Sequence, residues 1–428
     1  MGSDATHDSV TLDPRAYDAV LLDLDAVLPG PASTPLGGEV IALIDRLTRT
    51  RLLVAVFSQH HECRNALAAA GLDALVPPGG GRSTATGTGA GAAAWTADLL
   101  GVRPSRVAVV ETSDTGVRTA REAGFAMVIR VADSTTHTER SVEDGADTVV
   151  GGLGSIAVRS IERQMSELPD ALERLVDITA LIDQRSPMVF LDFDGTLSPI
   201  VDDPTHAALV AGAATAIGEL ARRYPVAILS GRGVEDVRAR VGIAGLWYAG
   251  SHGFEIIGPD GTRYPNKSAA TAVPILAQAA AFLTAQLAAI SGVSVEHKRY
   301  AVAVHYRNAA TDAAAPVTMW ARRTARELGL RVTAGRKVVE LRPAVAWNKG
   351  RTLEWILDQV AAGKPMLPVF IGDDLTDEDA FDAVCDSGIG IVVRHDEDGD
   401  RATAARYSLA DPEEVRVFLS RLATDHGS

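Results

Sequence analysis

Short apolar runs alternate with segments of helical periodicity along most of the chain. The runs Val189–Leu191, Tyr224–Leu229 and Leu367–Ile371 each end at polar residues, and Ala213–Arg223 has helical periodicity. Apolar runs of this kind are typical of parallel strands that are covered on both faces. Strands that alternate with helices predict an α/β fold with a parallel sheet.

Residues 253–335 depart from this pattern. Residues 296–307 alternate between the two faces of a strand, and residues 331–339 also have strand-like composition. Helices are predicted over 269–290 and 313–328. A small α+β cap over 253–335, inserted between strands of the main sheet, accounts for this change best. Such a lid can exclude water from a site and supply specificity.

The N-terminal part repeats the pattern of the main sheet. A strand that begins at Ala19 ends in Asp23-Leu-Asp25, with Ala26 where the later copy has Gly195. We therefore expect two Rossmann-like α/β domains, the second carrying the inserted cap.

A connector separates the two domains. Apolar residues near helical spacing from Ser160 to Arg185, with a break at Pro169, predict a helical linker. The predicted division is an N-terminal domain at 17–155, a linker at 156–185, a core at 186–252 and 336–428, and the cap at 253–335.

Composition narrows the classes of partner. The 428 residues carry a formal net charge of −14, which argues against nucleic acid or an anionic membrane as the main partner. Residues 271–290 contain no charged side chain, so a membrane span has to be considered. Pro274, Gln278 and the alanine-rich composition favour a soluble helix instead.

The cysteines and the N-terminal residues indicate the cellular compartment of the protein. Two cysteines, Cys63 and Cys385, suit a reducing compartment better than a disulfide framework. Met1–Val10 lacks the basic start and apolar core of a signal peptide. We therefore expect a cytoplasmic protein, and nothing in the sequence predicts its oligomeric state.

The run Val189–Leu191 ends in two carboxylates, Asp192 and Asp194, followed by Gly195. Residues two apart on an extended backbone point to the same side, here at the sheet edge where open α/β sheets bind ligands. The chemistry that fits is phosphoryl transfer through an aspartyl-phosphate, in which one carboxylate attacks phosphorus and its neighbour acts as acid and base. Two like charges this close need a cation, so the pair also predicts Mg²⁺.

Further polar residues follow predicted strands or open predicted helices. Ser230 follows a strand and offers a hydroxyl group to phosphate oxygens. Lys349 opens a helix and can neutralise the carboxylates and the phosphate. Asp373 and Asp374 follow a strand, and Asp377 lies one helical turn further on, which is an arrangement typical of a metal site.

In this order the motifs resemble those of the haloacid-dehalogenase-like phosphatases. The segments Ala249–Glu255, Glu296–Lys298, Val339–Pro343 and Gly372–Phe381 narrow the resemblance to the trehalose-6-phosphate phosphatases, over somewhat more than half of the chain. The two-domain form resembles the mycobacterial type. The resemblance implies hydrolysis of trehalose 6-phosphate to trehalose and phosphate, with a small-molecule sugar phosphate as the partner.

The resemblance also implies roles for these residues. Asp192 is expected to be the nucleophile and Asp194 the general acid and base. Mg²⁺ would be held by the Asp192 carboxylate, the Asp194 backbone carbonyl and Asp373, and Asp377 would orient this shell.

Ser230 and Lys349 would bind the transferring phosphoryl group. Candidate sugar-binding residues are charged side chains that can pair with hydroxyl groups. They are Glu255, Lys298, Glu340 and Arg342.

Several alternatives are open at this point. A phosphatase for another sugar phosphate, or a phosphomutase that passes the phosphoryl group to a sugar hydroxyl, could share this core and cap. A regulatory protein with two vestigial phosphatase folds is the non-enzymatic alternative.

The N-terminal copy departs from the family pattern. The second acid is missing at Glu111-Thr112, and no lysine occurs between Met1 and Ile161. The segment Gly101–Val131 resembles the small sugar-phosphate mutase branch of the superfamily. We interpret this copy as degenerate, with a structural or regulatory role.

Overall fold

The structure, a computed structural model, describes residues 9–28, 38–58, 67–68, 73–75, 91–132, 145–160, 163–201, 203–310, 313–335, 337–361, 365–395 and 399–424. The chain divides into two units. The first comprises Met1–Ile161, Ala289–Val293 and Tyr306–Trp320, and the second comprises Glu162–Ala288, Ser294–His305 and Ala321–Ser428. The predicted catalytic residues all lie in the second unit.

An eight-stranded sheet forms the centre of the second unit. In order across the sheet, its strands are Arg263–Pro265, Glu255–Ile257, Trp247–Gly250, Val226–Leu229, Ser186–Leu191, Met366–Gly372, Ile389–Val393 and Tyr407–Leu409. The last six run parallel, and the first two extend the sheet in antiparallel fashion. The prediction of an α/β fold with a parallel sheet is confirmed.

Apolar residues alternate between the two covered faces of this sheet. Val189 and Leu191 of the central strand pack into one core, and Met188 and Phe190 pack into the other. The first core is covered by the helices Leu175–Asp183, Ala213–Ala221, Val234–Val241 and Pro412–Thr424. The second is covered by the helices Lys349–Ala361 and Glu378–Val384. Because both faces are covered, the central strand is apolar up to Asp192.

A separate antiparallel sheet of four strands follows in the chain before the core resumes. In order across this cap sheet, the strands are Ser294–Lys298, Ala301–His305, Val338–Pro343 and Leu330–Gly335. The accompanying helices are Lys267–Ala270, Val273–Leu287 and Ala314–Glu327.

The predicted cap range, 253–335, does not coincide with this sheet. The hairpin strands Glu255–Ile257 and Arg263–Pro265 belong to the eight-stranded sheet, whereas Val338–Pro343 belongs to the cap sheet. Antiparallel strands have the same alternating pattern in either sheet, so the sequence does not say which sheet they extend. We therefore propose a cap that spans residues 266–343.

The single strand predicted over 296–307 is wrong. Lys298 pairs with Ala301, so Arg299 and Tyr300 form a two-residue turn between two antiparallel strands. Neither residue is one of those that usually mark such turns. The alternation of polar and apolar residues therefore did not indicate that the chain reverses direction at this turn.

The helical linker predicted over 156–185 is wrong in its first half. Arg163–Gln164 is a strand that pairs with Ala402–Thr403, and the α-helix spans only Leu175–Asp183. Met165 and Leu168 are buried in the core of the eight-stranded sheet. Tertiary packing thus accounts for the apolar spacing that looked helical.

A five-stranded parallel sheet forms the centre of the first unit. In order across it, the strands are Leu53–Phe57, Ala19–Asp23, Val107–Glu111, Met127–Val131 and Thr148–Val150. The helices are Leu24–Val27, Gly38–Arg49, Ala92–Leu99 and Asp114–Glu122. Val10–Leu12 and Ile156–Val158 form a separate parallel pair. Asp23 thus ends a strand of a parallel sheet, as predicted from the repeated pattern.

The uncharged stretch 271–290 contains the helix Val273–Leu287, which has Pro274 in its first turn. Within the described ranges, none of the helices has the length and apolar character that a membrane crossing requires. Cys385 is a free cysteine. Cys63 and most of Met1–Val10 lie outside the described residues.

Candidate active site

Three polar residues follow neighbouring parallel strands at one edge of the eight-stranded sheet. Asp192 follows the central strand Ser186–Leu191, and Ser230 and Asp373 follow the strands on its two sides. The order of the strands along the chain reverses at this central strand. Open α/β sheets bind ligands at such a point.

Lys349 joins two buried carboxylates at this edge. Its ammonium group donates to Oδ1 of Asp192 at 2.7 Å and to Oδ1 of Asp377 at 2.6 Å. The other carboxylate oxygen of Asp377 accepts hydrogen bonds from the backbone N–H groups of Asp373 and Asp374, at 2.9 and 3.0 Å. The structure therefore brings together residues that lie far apart in the sequence.

Carboxylate oxygens of Asp192, Asp373 and Asp377 lie within 4.8 Å of one another, and all three residues are buried. Buried acids repel one another unless positive charge compensates them. Lys349 supplies one positive charge for the three acids. Closely spaced carboxylate oxygens are the ligands that hard divalent cations prefer, so this donor set fits such a cation.

The pKa shifts of Asp192, Asp377 and Lys349 agree with a cation site at these carboxylates. Burial raises the pKa of Asp192 well above its usual value, against the effect of Lys349, and the carboxylates of Asp377 and Asp373 add to the rise. Burial likewise raises the pKa of Asp377 to about 6, although Lys349 opposes it. Burial alone would lower the pKa of Lys349, but Asp192 and Asp377 hold it well above its ordinary value. A cation at this position would favour the ionised carboxylates.

Gly195 and Thr196 bring the chain close to Asp373. Gly195 has a φ of +81°, and a Cβ atom there would lie 2.0 Å from Oδ2 of Asp373. The hydroxyl group of Thr196 donates to Oδ1 of Asp373 at 3.2 Å. A glycine is therefore required after Asp194 both for the turn and for the close approach of a carboxylate.

The side chain of Asp194 does not belong to the cluster of carboxylates formed by Asp192, Asp373 and Asp377. Arg232 binds both of its oxygens, with Nε 2.7 Å from Oδ2 and Nη2 2.6 Å from Oδ1. The backbone N–H of Arg232 donates to Oγ of Ser230 at 3.1 Å, so both residues are fixed in one turn. The predicted metal contact through the Asp194 backbone carbonyl stays a prediction.

Two residues that the sequence patterns did not indicate also hold Asp373. Nε2 of His395 lies 3.3 Å from Oδ2 of Asp373 and 3.1 Å from the backbone oxygen of Gly195. Arg401 donates from Nη2 to the backbone oxygen of Asp373 at 2.8 Å and forms a buried ion pair with Glu378. A single histidine and a single arginine after a strand form no motif, so no local signal could have identified them.

A cleft with about 450 Å³ of space, partly open to solvent, lies beside Lys349. Its lining includes His252 and Thr376 from the core and Arg331, Thr333 and Arg342 from the cap sheet. Polar side chains of the cap sheet therefore line the same cleft as Lys349.

His252 occupies a strained position in this cleft. Its φ is +55°, which a residue with a side chain rarely adopts. Burial lowers the pKa of His252 well below its usual value, and the nearby cations Arg342, Lys349, Lys298 and Arg331 lower it further. The imidazole is therefore neutral at pH 7 and can both donate and accept a hydrogen bond.

The four predicted sugar-binding residues fall into two groups. On the cap sheet, Nε of Arg342 donates to Oε2 of Glu340 at 2.6 Å, and Nζ of Lys298 lies 3.8 Å from Oε1 of Glu340. Glu255 lies in the eight-stranded sheet and pairs with Arg299 at 2.8 Å. Of the four, Arg342 lines the cleft directly.

We expect Gly195→Ala to weaken divalent-cation binding by about tenfold or more, because the new Cβ atom would displace Asp373. Calorimetric titration with Mg²⁺ would measure the change. Gly218→Ala is a matched control, since Gly218 lies in a helix and no heavy atom outside its own helix backbone would lie within 4 Å of a Cβ atom there. Equal Mg²⁺ affinity in the two variants would contradict the geometric argument.

We expect Arg401→Met to lower the free energy of unfolding by about 3–5 kcal/mol, because it removes the positive charge that compensates the buried Glu378. Adding Glu378→Gln should recover part of this loss. Urea unfolding followed by tryptophan fluorescence would measure both variants. Losses that simply add in the double variant would show that the pair is not energetically coupled.

The chain is similar to proteins of one family over nearly its whole length. The family model described as trehalose-phosphatase matches residues 190–413. The trehalose-phosphate phosphatase of Mycobacterium marinum is 47% identical over 418 residues, which cover 97% of this chain and 98% of that protein. The trehalose-phosphate phosphatase of Mycobacterium leprae is 47% identical over 427 residues, again covering 97% of this chain and 98% of that protein.

Two solved structures whose titles mention trehalose-6-phosphate phosphatase are similar to part of the chain. The trehalose-6-phosphate phosphatase of Aspergillus fumigatus, crystal form 3, is 26% identical and covers 60% of this chain and 98% of its own, with a TM-score of 0.46. A trehalose-6-phosphate phosphatase related protein is 25% identical and covers 55% of this chain and 96% of its own, with a TM-score of 0.49. The family match and the identity to curated relatives over nearly the whole chain confirm the prediction of a phosphatase, and the chain belongs to the trehalose-phosphatase family.

Proposed function

We propose that this phosphatase hydrolyses trehalose 6-phosphate to trehalose and inorganic phosphate, with Mg²⁺ and through an aspartyl-phosphate at Asp192. The observation that carries the proposal is the buried carboxylate of Asp192, which contacts Lys349 and lies close to Asp373 and Asp377. Buried charges of this kind are costly for folding alone, so a catalytic purpose accounts for them best. The relatives named for this activity match nearly the whole chain.

Two residues carry the covalent steps. Asp192 attacks phosphorus, the bond between phosphorus and the sugar oxygen breaks, and Asp194 gives a proton to that oxygen. Asp194 then takes a proton from a water molecule, which attacks the phosphorus of the aspartyl-phosphate and releases phosphate and free Asp192. Because Arg232 binds both oxygens of Asp194, this pairing has to open before Asp194 can transfer a proton.

Lys349 and Ser230 would bind the oxygens of the transferring phosphoryl group. The ammonium group of Lys349 already lies against the attacking residue, and Ser230 follows the neighbouring strand. Fixed donors in a buried site stabilise the charge that develops in such a transfer. They also require no reorganisation when the substrate reacts.

Mg²⁺ would be held by the carboxylates of Asp192 and Asp373 and by the backbone carbonyl of Asp194. Asp377 would orient Asp373 through the hydrogen bond from the Asp373 backbone N–H. When bound, the ion neutralises phosphoryl oxygens and the carboxylates around it. Ligands that are all oxygen favour Mg²⁺ over softer metals.

The sugar part of the substrate would contact Glu255, Lys298, Glu340 and Arg342. Hydroxyl groups of a sugar both donate and accept, and these residues offer acceptors and donors next to one another. The cap would thus select the alcohol part of the substrate, while the core carries out the transfer.

We also propose that the N-terminal unit has a structural or regulatory role. Asp23 is the last residue of one strand, and Thr112 follows the neighbouring parallel strand. In the second unit, Asp192 and Asp373 likewise follow two neighbouring parallel strands. The backbone N–H of Thr112 donates to Oδ2 of Asp23 at 3.3 Å, and the Thr112 hydroxyl group binds the same oxygen. A hydroxyl group therefore stands where a metal-binding carboxylate would be needed.

We expect Asp192→Asn to reduce phosphate release from trehalose 6-phosphate by about a thousandfold or more, since the amide cannot form the phosphoenzyme. EDTA should abolish the wild-type activity, and added Mg²⁺ should restore it. Asp260→Asn, in an exposed turn, is the matched control. A colorimetric phosphate assay would measure all three effects.

Several outcomes would contradict this function. Unchanged turnover in Asp192→Asn would exclude Asp192 as the nucleophile. Similar rates with trehalose, sucrose and glucose phosphates would contradict the substrate assignment, and formation of a sugar bisphosphate would indicate a phosphomutase.

We expect Asp23→Asn to leave the turnover of trehalose 6-phosphate within about twofold of the wild type, because Asp23 has a threonine and not a carboxylate at the position that corresponds to Asp373. Steady-state kinetics at saturating Mg²⁺ would measure this. A loss as large as that of Asp192→Asn would instead assign catalysis to the N-terminal unit.

A further inference from the structure

Residues 163–171, here called the linker segment, continue the chain from the first unit but belong to the second. Arg163–Gln164 is a two-residue strand that pairs in antiparallel fashion with Ala402–Thr403. Within the described ranges, these two strands form a sheet of their own, so each has only the other as its neighbour. A pair this short is at best marginally stable by itself, so its position depends on further contacts.

Ser166 and Asp400 supply such contacts next to the strand pair. The backbone N–H of Ser166 donates to Oδ1 of Asp400 at 2.8 Å, and the Ser166 hydroxyl group donates to Oδ2 at 2.7 Å. The backbone N–H of Met165 also donates to the backbone oxygen of Arg401 at 3.0 Å. The linker segment therefore holds the backbone of residues 400–403.

The linker segment is itself anchored to the eight-stranded sheet. The side chains of Met165 and Leu168 are buried in a core of this sheet. The backbone N–H of Ala171 donates to the backbone oxygen of Ser408 at 2.9 Å. Ser408 lies in the edge strand Tyr407–Leu409, so the linker segment covers part of an edge whose backbone groups need partners.

Arg401 connects the linker segment to Asp373. Its buried side chain donates from Nη2 to the backbone oxygen of Asp373 at 2.8 Å and pairs with Glu378. Oε2 of Glu378 accepts a hydrogen bond from the backbone N–H of Ala404 at 2.9 Å, which ties the same turn to the start of a helix. Because the linker segment holds the backbone of Arg401, a shift of that segment would move the guanidinium group away from Asp373.

We propose that the linker segment is a positioning element for the candidate metal site, and that it acts through Asp400 and Arg401 on Asp373. This inference rests on the proposed function, in which Asp373 is a ligand of Mg²⁺. Asp400 is exposed and belongs neither to the cleft lining nor to the cluster of three carboxylates, so its role is to position and not to react. The chain enters the linker segment from the first unit, so this route would let that unit influence cation binding.

The inference predicts that a substitution outside the site weakens cation binding. In Asp400→Ala, the Kd for Mg²⁺ should rise about 3- to 10-fold, which is less than the loss of about 10- to 100-fold that is typical when a direct contact to a metal ligand is removed. Calorimetric titration of the full chain with MgCl₂ would measure this change. Asp400→Asn keeps an acceptor oxygen and should recover part of the affinity.

Asp260 offers a matched control elsewhere in the second unit. Its carboxylate makes the same two kinds of contact, with the backbone N–H of Thr262 at 2.9 Å and with the Thr262 hydroxyl group at 2.7 Å. It is likewise exposed, in the hairpin between the strands Glu255–Ile257 and Arg263–Pro265. Asp260→Ala should therefore lower the melting temperature in EDTA about as much as Asp400→Ala does, but should leave the Mg²⁺ affinity unchanged.

A measurement on the metal-free protein separates this inference from the proposed function. The backbone N–H groups of Asp373 and Asp374 donate to Asp377, so their exchange with solvent hydrogen reports how firmly this turn is held. In EDTA, Asp400→Ala should lose protection in a peptide that contains residues 372–378, whereas Asp260→Ala should not. Hydrogen exchange followed by mass spectrometry would measure the difference.

Two results would overturn the inference. One is a folded Asp400→Ala variant with the Mg²⁺ affinity and the exchange of the wild type. The other is an equal loss of Mg²⁺ affinity in Asp260→Ala, which would indicate a general effect of stability. If Asp400→Ala does not fold, Ser166→Ala removes only the hydroxyl contact and allows the same comparison. If the wild type binds no Mg²⁺ but residues 372–378 still lose protection in Asp400→Ala, the proposed metal site fails, while the positioning of Asp373 by the linker segment stands.

Discussion

A lysine buried between two carboxylates is the interaction on which the candidate active site depends. Removing an isolated charge from water costs several kcal/mol, so Lys349, Asp192 and Asp377 are stable only together. They come from a helix start, a strand end and the turn before another helix. The candidate site therefore requires the sheet and both helices to be in place, so catalysis there would depend on the stability of the whole core.

Asp373 shows how the structure fixes the carboxylate that we propose as a metal ligand. Thr196 and His395 contact its side chain, while Arg401 and Asp377 bind its backbone oxygen and N–H group. Contacts of this kind around a metal ligand set its orientation and typically change metal affinity when they are lost. The N-terminal unit has the same kind of parallel strand neighbours around Asp23 but offers Thr112 instead, so a similar topology carries different chemistry.

The cap sheet has an apolar face and a polar face. One face includes the buried residues Val302, Val304, Val339 and Leu341, and the other carries Arg331, Thr333 and Arg342, which line the cleft. A strand alternates its side chains between the two faces, so the same four strands can supply both packing and recognition. The roles proposed for the core and the cap therefore have different requirements. The core would need fixed charges at Asp192, and the cap would need hydrogen-bonding groups matched to a substrate.

The sequence by itself determined the features that depend on local pattern. Apolar runs that end at Asp192, Ser230 and Asp373 identified the strand ends, because strand periodicity and turn chemistry are local. Only the tertiary structure decided that Arg232 binds Asp194, that His395 and Arg401 hold Asp373, and which sheet the strands near 255 and 340 extend. These are contacts between residues that are distant in the chain, and neither periodicity nor composition predicts them.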